Sequence, residues 1–149
     1  MNRKELAIER FRGDYNCAQS VLSVFAADFG LDEKVALRIA WPFGGGMARL
    51  QKTCGAVTGA YMVIGLAWGT KKPETEEEKE KVYQVVQQFT ARFEAIHGAT
   101  DCLTLLGQDI STPEGRQKSK DENRSALRCE KYVGDAVTIL EDLLKTDPV

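Results

Sequence analysis

Cys54-Gly55-Ala56-Val57-Thr58-Gly59-Ala60-Tyr61-Met62-Val63-Ile64-Gly65-Leu66-Ala67-Trp68 is the run whose reading decides the fold class. Its β-branched residues would suit a buried strand, but it is too long for one, and Gly55, Ala56, Gly59 and Ala60 recur with the spacing of one helix face. It reads as a buried helix. The uncharged stretch from Thr53 to Thr70 falls short of the roughly 20 apolar residues that cross a bilayer. Neither membrane insertion nor a membrane partner is expected.

Working outward, helical periodicity dominates both sides of this run. Val82, Val86, Phe89, Phe93 and Ile96 repeat at spacings of four and three, Thr75 with Glu78 forms a capping box, and Gly98 stands where a C-terminal glycine belongs. Val133, Val137, Leu140 and Leu144 repeat the pattern, and one turn earlier lies Cys129, which therefore faces the core. Before the central run, the spacing predicts helices over Lys4 to Arg12, Asn16 to Phe29 and Glu33 to Ala40, the last capped by Asp32 and stopped by Pro42. Cys102 to Leu106 reads as a short helix ending at Gly107, and Thr112-Pro113 starts another segment ahead of a charged, exposed stretch. The expected fold is all-α, a compact multi-helix bundle with a glycine-rich loop leading into a central buried helix, and residues 1–149 read as a single helical domain.

The charge balance excludes other classes. Twenty basic against 22 acidic residues give a formal net charge of -2, with no electrostatic footprint for nucleic acid. The start Met1-Asn2-Arg3-Lys4-Glu5 runs into an amphipathic segment without a signal-peptide pattern, so a cytoplasmic location is expected. Lys52-Thr53 lacks the glycine spacing and preceding strand of a P-loop, and nucleotide binding is rejected.

The chemistry lies in four cysteines, Cys17, Cys54, Cys102 and Cys129. None is close enough to another in sequence to form a C-x-x-C dithiol or a zinc knuckle, so a shared site must be assembled by folding. Three follow N-cap residues: Cys17 after Asn16, Cys54 after Thr53, Cys102 after Asp101. A thiol in a first helical turn meets unpaired N–H groups and the positive end of the helix dipole, which favour thiolate, the form that attacks disulfides and binds metals. Cys54, with Lys52 and Arg49 nearby, is the expected attacking thiolate. Four core-filling cysteines are the plainer alternative.

Gly44, Gly45 and Gly46 are candidates for a loop that accommodates a thiolate or an anion, and Gly55 and Gly59 for a cleared face beside a cofactor; a flexible connector and tight helix packing are the simpler readings. His97, the one histidine, reads as a helix-end cap. Trp41, Tyr61 and Trp68 read as core or pocket wall, with the Tyr61 hydroxyl a candidate donor to a thiolate.

Asn16-Cys17-Ala18-Gln19, the glycine loop leading into Cys54-Gly55-Ala56-Val57-Thr58-Gly59, and the later Cys102 and Cys129 resemble the C-GCAxxG-C-C family of redox-active proteins over nearly the whole chain. The chain departs from the family label at Thr53, where the label has glycine, while Gly55 follows the cysteine. The resemblance implies that the four cysteines act as a set in a redox role, as an oxidoreductase by thiol–disulfide exchange or as ligands of an iron–sulfur cluster or other thiolate-bound metal. It names no substrate and no electron donor or acceptor, and homodimer formation stays open. The alternative is a non-redox helical interaction or small-ligand module with structural cysteines.

Overall fold

The computed structural model describes residues 1–146. Among them every regular element is helical, and the one β contact is an isolated antiparallel bridge between Thr53 and Asp101. The elements are α1 (Arg3–Arg12), α2 (Cys17–Ser23), α3 (Glu33–Ala40), α4 (Gly44–Met47, a short left-handed turn), α5 (Gly55–Trp68), α6 (Glu76–His97), α7 (Cys102–Leu106), α8 (Pro113–Asp121) and α9 (Glu130–Leu144). No described helix is long and apolar enough to cross a membrane.

Helix α5 is central because its sequence is apolar almost all round, and a helix of that kind must be covered on every side. α2, α6 and α9 cover it, and α1 packs on α9. Gly59 sits at the α2 crossing. A Cβ there would lie 2.9 Å from the Ala18 carbonyl oxygen and 3.2 Å from the Val21 Cβ, so the small face serves helix packing at this position.

Three local expectations need correction. The helix predicted over Asn16 to Phe29 ends at Ser23 and resumes as a 3₁₀ turn, Ala26–Phe29. The bend turns Phe25 fully into the core beneath the Arg3 guanidinium, 4.4 Å from the ring centre. On α6 the buried row runs through Val85, Phe89 and Phe93, whereas Ile96 is exposed. A step of four from Phe93 lands on His97, which packs against Phe93 and Tyr132 and pairs with Asp135 at 2.9 Å. His97 is a core-edge residue as well as a helix end. The Thr75 hydroxyl accepts the Glu78 N–H, but the Glu78 carboxylate accepts from Glu74 N–H, so the capping box is not reciprocal.

Candidate functional site: a thiol cavity

Local capping places the cysteines. The Asn16 side chain accepts the Gln19 N–H and the Gln19 side chain accepts the Asn16 N–H, both at 2.9 Å, fixing Cys17 as the first residue of α2. The Asp101 carboxylate accepts the Thr104 N–H at 2.9 Å and fixes Cys102 in the same position of α7. Cys54 is the N-cap of α5, one residue earlier than expected. Its N–H donates to the Thr100 carbonyl at 2.7 Å while the Cys102 N–H donates to that of Lys52 at 2.6 Å, stitching two helix starts together. Cys129 ends a π-helical turn, Ser125–Cys129, that runs into α9.

The glycine run is a left-handed turn. From Gly45 through Arg49 every φ is positive, between 53° and 69°, and Gln51 follows at 56°. Met47, Ala48 and Arg49 each carry a cost of about 1–2 kcal/mol in that conformation. Gln51 helps offset it: its buried amide donates to the Gln108 carbonyl and accepts the Ile110 N–H, both at 2.8 Å. The turn brings the Gly45 N–H onto the Cys17 sulfur. It also seats Gly46 so closely that a Cβ there would come 2.6 Å from the Cys102 Cβ.

All four cysteines line one cavity of about 110 Å³, whose other walls are apolar at Phe11, Leu105, Leu106 and Ile110 and polar at Asn16, Ser125 and Tyr132. Within it the Cys17 thiol is lowered to about 7. The Cys54 S–H donates to the Cys17 sulfur, burial opposes, and the N–H groups of Gly45, Ala18 and Cys17 itself support the thiolate. Cys54, as the donor of that bond, is pushed well above 9.0, reinforced by burial and the neighbouring charge. The contact thus shifts the two thiols in opposite directions, Cys17 down and Cys54 up. Burial, then the charge on Cys17, raises Cys102 to about 11 and Cys129 to about 12.

The lowering expected at Cys54 is therefore found at Cys17 instead, and Cys54 is raised. Cys17 has the first-turn position and three N–H donors, whereas Cys54 precedes its helix and donates. Lys52 and Arg49 are exposed and do not figure among the groups acting on Cys54. Gly55 belongs to the site because a Cβ there would collide with the Cys17 sulfur. Gly44 lies against Asn16, outside the cavity, and Gly59 is in the α2 contact. Tyr61 is not a thiol partner, since its hydroxyl bonds that of Thr90 at 2.5 Å. Trp41 is 69% exposed and Trp68 is core.

Three cavity-side residues escaped the sequence reading. The Gln51 amide approaches the Cys102 sulfur at 4.0 Å, Ser125 bonds Cys129, and Tyr132 lines the cavity while its hydroxyl donates to the Leu105 carbonyl at 2.7 Å. Only Ser125, one turn before Cys129, had a readable spacing. Among the described residues no group of three or more His, Cys, Asp or Glu side chains is arranged to hold a metal ion. As described, the four thiols share a space without being gathered into such a group.

Residues 15–143 match the family described as "Putative redox-active protein (C_GCAxxG_C_C)". No curated protein and no solved structure matches the chain. The match begins just before Cys17, takes in all four cysteines and ends within α9, so every residue lining the thiol cavity except Phe11 lies in the matched stretch. With nearly its whole length covered and a redox-type role attached to that family, this chain belongs to the C_GCAxxG_C_C family.

Proposed function

We propose that the protein is a dithiol oxidoreductase in which Cys17 attacks and Cys54 resolves. The observation that carries this reading is that Cys17 and Cys54 meet in one cavity, where the Cys54 S–H and three backbone N–H groups lower the Cys17 thiol to about 7. The Cys17 sulfur attacks one sulfur of a disulfide, forming a mixed disulfide and expelling the other sulfur as thiolate. That leaving thiolate, or water, takes the Cys54 proton. The Cys54 sulfur then attacks Cys17, forming the Cys17–Cys54 bond and releasing the second substrate thiol. Two electrons pass from the protein to the substrate disulfide, and an external thiol or dithiol resets the pair by the reverse exchange. Cys102 and Cys129 stay protonated at neutral pH and do not compete as nucleophiles.

The test is peptide mapping after fully reduced protein meets one equivalent of a low-molecular-weight disulfide. The expected product is a Cys17–Cys54 bond, absent from Cys17→Ser, with Cys54→Ser trapped as a mixed disulfide on Cys17. A different pair would reassign the roles. Iron and labile sulfide in matching amounts in protein isolated without oxygen would overturn the dithiol reading in favour of a cluster.

A further inference from the structure

Beside the thiol cavity lies an open cleft of about 710 Å³. That volume is in the range of small-molecule sites, about 300–1,000 Å³, whereas the thiol cavity alone is too small for one. The two spaces share a wall: Asn16, Gly45 and Ile110 line both. Asn16 precedes Cys17 and the Gly45 N–H supports its thiolate, so the wall between the cleft and the thiol cavity is made by residues that adjoin the attacking sulfur.

The cleft is chemically two-sided. The α1–α2 connection contributes Asp14 and Tyr15, and the left-handed turn contributes Arg49. Asp14 and Arg49 are exposed, and among the described residues neither forms an ion pair, with each other or with another side chain. The Trp41 ring, 69% exposed, supplies an apolar surface in the same cleft. An unpaired anion and an unpaired cation over an aromatic floor, next to a thiolate, suit a ligand with both charges and an apolar middle.

We propose that this cleft binds a low-molecular-weight disulfide bearing both amino and carboxylate groups, of the class of a disulfide-linked amino acid or short peptide, and presents its sulfur to Cys17. Arg49 takes the carboxylate, Asp14 the ammonium group, and Trp41 covers the carbon chain between them. The exchange is the one written above, on which this proposal rests, and it consumes the reduced protein and yields two substrate thiols.

The test uses the full chain, reduced, with two probes that each carry one half of the recognition: dithiodipropionate, an anion, and cystamine, a cation. The readout is the ratio of their rates of forming the Cys17–Cys54 bond at about 0.15 M ionic strength, where charges beyond about 8 Å are screened. Arg49→Glu is expected to lower the anion-to-cation ratio about tenfold and Asp14→Lys to raise it by a similar factor, each replacing an exposed attraction by a repulsion. Lys71→Glu, at the opposite end of α5, should leave the ratio in place. Equal shifts in all three variants, or none in the two cleft variants, would overturn the cleft as the binding site while disulfide formation still upheld the dithiol chemistry. Failure of both probes to oxidise the pair in the unaltered protein would overturn the dithiol reading itself, and this proposal with it.

Discussion

The proton on Cys54 ties the reactivity of Cys17 to a neighbour rather than to helix position alone. Removing the S–H donor in Cys54→Ala takes away the largest influence that lowers Cys17, while burial remains. The Cys17 titration is therefore expected to move from about 7 up toward 9.0 or beyond. Alkylation rate against pH, followed by peptide mapping of Cys17, measures this, and an unmoved midpoint would show that the backbone N–H groups act alone. Gly55 works at the same scale. Alanine ordinarily favours a helix by about 0.8–1.0 kcal/mol over glycine. Here its Cβ would strike the Cys17 sulfur and lie 3.0 Å from both the Ala18 nitrogen and the Phe43 carbonyl oxygen, two backbone atoms that cannot swing aside. Gly55→Ala is expected to cost about 1–3 kcal/mol in thermal unfolding and to slow Cys17 alkylation; a more stable variant would contradict the packing.

Among elements, the left-handed turn is the one that local propensity opposes. Its dependence on Gln51 gives a direct test, because Gln51→Leu removes the bonds to Gln108 and Ile110 and leaves two backbone groups without their partners. The expected loss is about 2–4 kcal/mol in denaturant unfolding. Slower Cys17 alkylation should accompany it, since the Gly45 N–H is delivered by the same turn. A variant that loses stability with Cys17 reactivity intact would separate the turn from the thiolate. At the α2–α5 crossing, Gly59→Ala already meets the Ala18 carbonyl oxygen, so alanine is expected to destabilise despite its helix propensity, and leucine to do so further.

For the whole molecule, the thiols couple folding to pH in two directions. Cys17 has a folded value of about 7, below the ordinary 9.0, so its contribution is fully present above pH 9 and is lost as pH falls through 7. Cys102 and Cys129, raised to about 11 and about 12, act oppositely: their contribution is present below 9.0 and lost as pH rises beyond it. The melting temperature of reduced protein should therefore gain from Cys17 between pH 7 and 9, and the thiols should lower it above pH 9. Subtracting the profile of Cys17→Ser isolates the first limb, and parallel profiles across that window would contradict the assignment of the thiolate to Cys17.

The helices, and two of the three helix starts that carry a cysteine, were legible because their causes are local. Asn16 with Gln19 caps α2, Asp101 caps α7, and the apolar residues of α5 leave a buried helix as the outcome. Period and capping also placed α9 and most of α6. Cys54 stands one residue earlier on α5 than expected, but what raises its thiol is the bond to Cys17 and burial, against a backbone N–H from Ala56. Which sulfur holds the charge depends on contacts between Cys17 and Cys54 and on an N–H from a left-handed turn, and residues distant in sequence meet there only once α2, α4 and α5 have packed. The sequence by itself determined an all-helical chain with thiols at helix starts, since periodicity and caps act within a few residues. Tertiary structure alone decided that all four thiols line one cavity and that Cys17 is the one lowered among them, because burial and hydrogen bonding between distant segments set those energies.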